Sequence, residues 1–180
     1  MKRLVFVFDN TKCFGCMGCI AACSNANSNS PESPWRSLHK LPPEDGRHDT
    51  VYLSLACNHC TDAPCVRACP TNAMSRQEDN GVVLHHADRC LGCRYCQMAC
   101  PYDSIRYNES ERVVSKCHFC SDRIAAGKDP ACVATCFAGA LTCQILENED
   151  EASELEKEVP GFTHYSEARP SIRFKTHGEE

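Results

Sequence analysis

Short apolar runs separated by turn residues predict a chain of small strands joined by loops. Leu4 to Phe8 form one continuous apolar run, and residues 141–146, "LTCQIL", form a second mainly apolar segment. Neither has an apolar neighbour in sequence with which to make a hairpin, so each needs a partner from elsewhere in the chain. We therefore expect these two outer runs to pair with each other.

Two hairpins are predicted between the outer runs. Apolar residues alternate on either side of Asn80-Gly81, a dipeptide that favours the tight turns joining antiparallel strands. Residues 103–115 have a similar pattern, with the turn expected near residues 109–111. The middle of the chain is thus expected to contain two small antiparallel units.

Three segments lack this pattern. Residues 24–50 are rich in Ser, Asn, Pro and Gly, which predicts a loop insertion. Residues 147–158 are acidic and are followed by Pro160-Gly161, which predicts a helix that ends there. Residues 169–180 are expected to be extended and to lie on a partner protein.

Cysteine changes this picture, because 17 of the 180 residues are cysteine. So high a content indicates a fold held together by disulfides or metals as well as by apolar burial. The odd number of cysteines and the tight C-x-x-C spacings disfavour disulfides, and the apolar run before Asp9 is too short for an export signal. Reduced thiolates that bind a metal are the expected alternative.

The charge pattern argues against a nucleic-acid partner. The formal net charge is −5, and the basic residues are scattered rather than gathered in a patch with aromatic residues. No segment approaches the roughly 18 apolar residues of a membrane-spanning helix. We therefore expect no direct membrane span, and any membrane attachment to come through a partner subunit.

Sixteen of the cysteines form four copies of one pattern, each ending in C-x-x-x-C. In chain order, motif one is Cys13, Cys16, Cys19 and Cys23, motif two is Cys57, Cys60, Cys65 and Cys69, motif three is Cys90, Cys93, Cys96 and Cys100, and motif four is Cys117, Cys120, Cys132 and Cys136. Motif three matches the bacterial ferredoxin run C-x2-C-x2-C-x3-C-P, in which three cysteines bind one [4Fe–4S] cluster and the fourth binds another. The last two cysteines of a motif are about one helical turn apart, so the final thiolate is displaced from its own loop. Motifs must therefore act in pairs, and four motifs predict four [4Fe–4S] clusters.

Zinc is the main competing metal, because C-x-x-C pairs separated by a dozen or more residues are typical of zinc sites. Motif four, with eleven residues between its two cysteine pairs, nearly fits that description by itself. Zinc explains neither the three-cysteine loops of motifs one and three nor the proline after motifs two and three. A zinc-binding interaction module stays as the alternative from another class of function.

The motifs resemble those of a known family. The stretches "CNHC" at residues 57–60 and "GCRYCQMACPY" at residues 92–102, together with the widened motif four, are similar to the four-cluster iron–sulfur subunit of molybdopterin oxidoreductases. The likeness is greatest to the electron-transfer subunits of dimethyl sulfoxide, polysulfide and thiosulfate reductases, and it spans roughly residues 4–146. It implies an α+β fold of two tandem bacterial-ferredoxin-like units, a double dicluster that is loop-rich with short hairpins and short helices.

This resemblance and the expected strand pairing also imply a domain organisation. Residues 1–23 with 110–146 would form one unit from motifs one and four, and residues 51–109 a second unit from motifs two and three. Residues 24–50 would be the loop insertion, and residues 147–180 the acidic helix and extended tail.

The crossed ligation of the family implies which cysteines share a cluster. We number the expected sites here: site 1 is Cys13, Cys16, Cys19 and Cys136; site 2 is Cys117, Cys120, Cys132 and Cys23; site 3 is Cys57, Cys60, Cys65 and Cys100; and site 4 is Cys69, Cys90, Cys93 and Cys96. Relatives with Trp at the second position of motif three carry a [3Fe–4S] centre, but this chain has Cys93 there, so four cubes are expected. Phe137 follows Cys136 where proline is more usual, which is expected to alter the loop but not the ligation.

The resemblance implies a non-catalytic subunit that conducts electrons. Its partners would be a molybdopterin-containing catalytic subunit, with molybdenum or tungsten, and a quinone-linked membrane anchor subunit or another redox protein. Such a complex lies at the cytoplasmic or periplasmic face of a membrane. The alternative is the iron–sulfur subunit of a formate dehydrogenase or hydrogenase complex.

Several residues near the motifs have two interpretations. Positive side chains either raise cluster potentials or are ordinary surface residues: Lys12, Arg67, Arg89, Arg94 and Lys116. His59 and His118 lie within C-x-x-C loops, but with all sixteen cysteines present they are expected to pack or hydrogen-bond near a cluster rather than bind iron. Cys143 shares a strand face with Leu141 and Ile145, which predicts a buried core thiol.

Overall fold

The computed structural model describes residues 2–29, 33–42, 50–148 and 150–176. Within these ranges the chain forms nine strands and five short α-helices. In chain order they are β1 (Arg3–Asp9), α1 (Gly18–Asn27), β2 (Ser37–Leu41), β3 (Val51–Leu55), α2 (Pro64–Arg67), β4 (Met74–Arg76), β5 (Val83–His85), α3 (Tyr95–Ala99), β6 (Ile105–Asn108), β7 (Val113–Lys116), α4 (Ser121–Ala125), α5 (Ala131–Ala134), β8 (Leu141–Leu146) and β9 (Arg173–Lys175). This loop-rich mixture of small strands and helices confirms the expected α+β class.

The two outer apolar runs pair as predicted. β1 and β8 are antiparallel, with Leu4 opposite Ile145 and Phe8 opposite Leu141. All seven residues of β1 are buried. A strand covered on both faces has no need of a polar side, which explains why its apolar run is continuous rather than alternating.

The tail was expected to lie on a partner protein, and that expectation is wrong for its described part. β9 adds to the same sheet as a parallel neighbour of β1, with Val7 opposite Arg173. Ile172 and Phe174 are buried in the main core. The apolar residues of this short segment are therefore used within the chain.

The loop predicted for residues 24–50 is only partly correct. Helix α1 continues to Asn27, and β2 pairs with β3 in an antiparallel hairpin, with Ser37 opposite Leu55. Most of β2 is half-buried or exposed, so its apolar pattern is weak, and its stability comes from the ladder with β3. Residues 30–32 and 43–49 lie outside the described residues.

The helix predicted for residues 147–158 does not form in the described part of that segment, which has only a 3-10 turn at Asp150–Ala152. The backbone of Glu156 instead exchanges two hydrogen bonds with Phe174, each 2.9 Å from N to O. A residue paired in this way has no carbonyl or amide left for a helix. Pairing with the tail therefore overrides the helical preference of this acidic stretch.

Both predicted hairpins are present. β4 pairs with β5, and β6 pairs with β7 with Asn108 opposite Val113, which leaves residues 109–112 as the turn. The first connection is longer than a two-residue turn, because the Gln77 amide bonds to the Val82 carbonyl at 2.8 Å. Asn80-Gly81 forms its second half, where Gly81 has a positive φ of 73°.

Packing between the helices determines which motifs are neighbours. α1 packs against α5, and α2 packs against α3. Motif one therefore lies beside motif four, and motif two beside motif three. The division of the chain into two units with the boundaries given above stays a prediction.

Candidate iron–sulfur cluster sites

Motifs one and three fold into the same local backbone. Each has a glycine with positive φ before its second cysteine, Gly15 at 82° and Gly92 at 67°. Each then has a left-handed residue directly before its helix, Met17 at 60° and Arg94 at 63°. Two reversals of this kind within four residues curl the chain, so the first three thiols of a motif face a common point.

The two glycines also lie against other parts of the chain. A Cβ at Gly92 would come within 2.2 Å of the carbonyl oxygen of Arg112, and one at Gly15 within 2.4 Å of the Tyr52 ring. Both positions therefore require glycine for its size as well as for its backbone conformation.

Three cavities are each lined by four cysteines drawn from two motifs. The cysteines of site 3 line a cavity whose empty volume, with its opening, is about 340 Å³. Those of site 4 line one of about 290 Å³, and those of site 2 line one of about 250 Å³. In each case the cysteine from the paired motif is the one expected from the crossed pattern.

Site 1 lies nearer the surface, and its four cysteines are also together. Burial raises the pKa of Cys13, and the neighbouring charges of Cys19, Cys136 and Cys16 raise it further. Cys16 is exposed, whereas Cys13, Cys19 and Cys136 are half-buried. The structure thus brings together each of the four expected sets, although the bonds to iron stay a prediction.

Burial and mutual repulsion oppose ionisation of the cysteines at these sites. Burial and neighbouring thiolates raise the pKa of Cys65 to about 12, and those of Cys23 and Cys96 to about 11. Adjacent thiols of this kind do not all ionise at neutral pH unless a positive centre lies among them. In the described residues, no three Cys, His, Asp or Glu side chains converge closely enough to hold a single metal ion. Four thiols spread around a cavity are an arrangement that a cluster of several iron atoms can occupy.

Main-chain amides donate hydrogen bonds to several of the sulfur atoms. The Ala73 amide lies 3.2 Å from the Cys69 sulfur, and the Leu141 amide 3.3 Å from that of Cys136. For Cys69, burial raises the pKa, but hydrogen bonds from the following backbone lower it overall. Cys69 precedes a proline and Cys136 precedes Phe137, so this contact forms with either residue.

The histidines inside the C-x-x-C loops have structural partners. The Nδ1 atom of His59, which is 1% exposed, accepts a hydrogen bond of 3.1 Å from the Val83 amide. The Nδ1 atom of His118 accepts one of 3.1 Å from the Ser121 amide. Burial lowers the pKa of both rings, so both are neutral at pH 7. These contacts agree with packing and hydrogen bonding near the sites.

Cys143 is not the buried core thiol that alternation predicted. It is half-buried, its neighbour Ile145 is 58% exposed, and its sulfur lies 3.7 Å from a carboxylate oxygen of Asp129. β8 is an edge strand of the sheet, so only part of its inward face is covered. Burial and this carboxylate raise the pKa of the thiol to about 12.

Three of the five positive residues near the motifs form ion pairs or hydrogen bonds at the protein surface. Lys12 pairs with Asp9 at 3.3 Å, and the exposed Arg89 pairs with Asp88 at 3.7 Å. The exposed Arg67 donates a hydrogen bond of 2.8 Å to a main-chain carbonyl.

Arg94 and Lys116 differ from those three. Arg94 pairs with Glu109 at 2.7 Å, and its guanidinium lies 3.6 Å from the centre of the Tyr107 ring. Lys116 is buried, and its Nζ atom donates to the carbonyls of Val83 and Cys117.

The sequence interpretation missed Arg36. It is 1% exposed and lines the cavity of site 2 beside the single tryptophan of the chain, Trp35. Its position in a segment that was expected to be loop concealed it. Only the pairing of β2 with β3 brings it inward.

Exposed apolar side chains gather at sites 1 and 4. Phe14 and Met17 flank the exposed Cys16 in sequence, Phe137 follows Cys136 of the same site, and the rings of Phe14 and Phe137 lie 5.3 Å apart. We call Phe14, Met17 and Phe137 the site 1 patch. Leu91, Tyr95 and Met98 are exposed residues of motif three within five positions of the exposed Cys93, and we call them the site 4 patch. In the described residues, no helix is long and apolar enough to cross a membrane.

Comparisons with known proteins support these features. Two family models, both described as a 4Fe–4S dicluster domain, match residues 12–73 and 48–146. One chain of the anaerobic dimethyl sulfoxide reductase of Escherichia coli (strain K12) is 41% identical over 145 residues, which are 76% of this chain and 70% of that one. The thiosulfate reductase electron transfer subunit PhsB of Salmonella typhi is 40% identical over 154 residues, which are 83% of this chain and 79% of that one. One subunit of the tetrathionate reductase of Salmonella typhimurium is 38% identical over 142 residues, which are 77% of this chain and 56% of that one.

Proposed function

Since this protein belongs to the 4Fe–4S dicluster family, which includes chains of anaerobic dimethyl sulfoxide reductases, we propose that it conducts electrons through four crossed cluster sites within a reductase complex. Two dicluster domains correspond to four [4Fe–4S] clusters. The chain is an electron-transfer subunit and not the catalytic one, as its reductase relatives indicate. Their names favour a reductase complex over the formate dehydrogenase or hydrogenase alternative.

The observation that carries the ligand assignment is the composition of the cavities. In site 3, Cys100 of motif three joins three cysteines of motif two, and in site 4, Cys69 of motif two joins three of motif three. Site 2 likewise combines Cys23 with three cysteines of motif four. Sites 1 to 4 as defined above are the proposed ligand sets.

The sites follow one another as a line. Cys19 of site 1 is close enough to raise the pKa of Cys132 in site 2, after the larger effect of burial. Cys57 of site 3 acts in the same way on Cys117 of site 2, and Cys96 of site 4 on Cys65 of site 3. The nearness of the cysteines in these three pairs supports the order 1, 2, 3, 4.

The protein is proposed to bind the four clusters and to shield those in the middle from water. When bound, each [4Fe–4S] cluster supplies a centre that gains or loses one electron. The cysteines of sites 2 and 3 are mostly buried, so the middle of the line is shielded from water. Exposed Cys16 and Cys93 mark its two ends, where electrons enter and leave.

The apolar patches at the two ends are the proposed docking surfaces. The family resemblance favours a molybdopterin-containing catalytic subunit at the site 1 patch. It favours a membrane anchor subunit, or another redox protein, at the site 4 patch. Such a complex would lie at one face of a membrane, with this chain held there by its partner.

Cysteine substitutions in pairs test the ligand assignment. In anaerobically purified protein, Cys23→Ser and Cys132→Ser should each lose the same electron paramagnetic resonance signal, and the double variant should lose no more than either alone. Combining Cys23→Ser with Cys19→Ser should remove two signals. Loss of one shared signal in the second pair would instead mean that motif one holds a cluster by itself.

Charge substitutions in the patches test the docking surfaces. Phe137→Glu should release the chain from one partner of the native complex and Met98→Glu from a different one, as judged by co-purification. Ile145→Glu is the matched control, because Ile145 is 58% exposed but lies in neither patch. Release of the same partner by both patch variants would contradict the assignment of the two ends.

A further inference from the structure

Arg36 is a buried cation, and no carboxylate pairs with it among the described residues. It precedes β2, and its guanidinium lies 4.7 Å from the centre of the Phe6 ring. In the described part of the chain, its Nε and Nη2 atoms lack a hydrogen-bond partner of good geometry, and the guanidinium lies within reach of the Cys132 sulfur. Burying a charge in this way is costly unless an opposite charge compensates it.

The compensating charges come from cysteines of two neighbouring sites. Arg36 lines the site 2 cavity together with Cys23, Cys117 and Cys132. A guanidinium is not deprotonated in proteins. Arg36 therefore stays charged and faces the place where negative charge collects.

A hydrogen-bonded serine connects the same arginine to site 1. The Nη1 atom of Arg36 donates to the Ser54 hydroxyl at 3.1 Å, and this hydroxyl lies 3.5 Å from the sulfur of Cys19. Ser54 is itself 1% exposed. The hydrogen bond to Ser54 fixes the position of the guanidinium. It also brings the positive charge of Arg36 close to site 1 as well as to site 2.

We propose that Arg36 is a positioning residue for electron transfer, which raises the reduction potential at site 2 strongly and at site 1 more weakly. The inference rests on the proposed function, since it requires clusters at these sites. Reduction adds one electron and breaks no bond, so the reduced form carries one more negative charge. A fixed positive charge in a water-poor site stabilises that form preferentially.

Lys116, the other buried cation near the sites, lacks this arrangement. Its ammonium group donates to two main-chain carbonyls, one of them that of Cys117 at 2.7 Å. Those carbonyl dipoles offset part of its charge, whereas two nitrogens of Arg36 have no such acceptor among the described residues. Arg36 is therefore the stronger candidate for a charge directed at a cluster.

Potentiometric titration followed by electron paramagnetic resonance tests the inference on the intact complex. The variants are Arg36→Met, Arg36→Gln, which keeps a polar amide without the charge, and Arg36→Lys, which keeps the charge. Both neutral variants should lower one midpoint potential by at least the equivalent of a tenfold change in the reduced-to-oxidised ratio, about 59 mV for one electron. A second midpoint should fall by less, two should stay unchanged, and Arg36→Lys should restore most of the loss.

A control and the iron content separate the possible failures. Lys40→Met removes one positive charge from the exposed part of β2 and should shift no midpoint. Four clusters with unchanged potentials in both neutral variants would overturn the role of Arg36 and leave the proposed function intact. Loss of a cluster in both neutral variants would also overturn it, because Arg36 would then act in assembly. Fewer than four clusters in the unsubstituted complex would contradict the proposed function itself.

Discussion

The close contact between Gly92 and the turn after β6 gives a specific test of how the site 4 loop is held. Gly92 has a φ of 67°, and a Cβ there would come within 2.2 Å of the Arg112 carbonyl oxygen. Gly127 has the same φ of 67°, but its Cβ would meet no atom within 4 Å. The two alanine variants therefore share the backbone strain and differ in the collision.

The structure allows the size of the effect to be worked out. A non-glycine residue in a left-handed conformation costs roughly 1–2 kcal/mol, which applies to both variants. Relieving the collision requires displacement of main chain, at a cost similar to that of overpacking a core, roughly 1–3 kcal/mol. The collision should therefore lower the equilibrium constant for the closed loop in Gly92→Ala by roughly fivefold to 150-fold more than the strain alone does in Gly127→Ala.

The assay is the anaerobic release of iron to a chelator, with the signals of the individual clusters followed during release. Gly92→Ala should release the site 4 cluster faster than the unsubstituted protein, while the other three signals keep their rates. Gly127→Ala carries the backbone strain alone, so it should change the release rate of any cluster by less than Gly92→Ala changes that of site 4. If Gly92→Ala and Gly127→Ala changed the rates of iron release equally, the argument that the Arg112 carbonyl restricts residue 92 would be refuted.

Three further predictions concern the core and the remaining cysteine. Phe119→Ala should lower the free energy of unfolding by roughly 3–5 kcal/mol, measured by anaerobic denaturation, because its ring is 1% exposed and stacks on Phe6 at 4.0 Å; a loss below 1 kcal/mol would contradict this packing. Removal of iron by a chelator should raise the fluorescence of Trp35, the single tryptophan, because this side chain lines site 2. Cys120→Ser should raise the fluorescence equally. Unchanged emission would place Trp35 away from the cluster. Cys143→Ser should keep the full iron content, because Cys143 lines none of the three cysteine cavities, and loss of four irons per chain would make it a ligand.

Elements with a strong local pattern were predictable from the sequence. The continuous apolar run of β1 indicated a strand buried on both faces, and its pairing with β8 is confirmed. The alternating segments around residues 80 and 110 gave the two hairpins. The spacing of the cysteines was informative for a similar reason, because a C-x-x-C loop and a following helical turn have fixed dimensions.

Elements with a weak local pattern that form only through a distant partner were not predictable. β2 has a weak apolar pattern and forms because β3 supplies its ladder. The acidic segment favours a helix by composition, yet Glu156 pairs with Phe174. Arg36 was missed for the same reason, since only the β2 to β3 pairing turns this arginine toward the cysteines. In a small fold with much loop, contacts of this kind decide as much as local preference does.

The metal content of the anaerobically purified native protein tests the central claim most directly. Four [4Fe–4S] clusters predict about 16 iron and about 16 acid-labile sulfide per chain, with no stoichiometric zinc. Zinc bound in whole-number ratio in place of iron, without labile sulfide, would contradict the account.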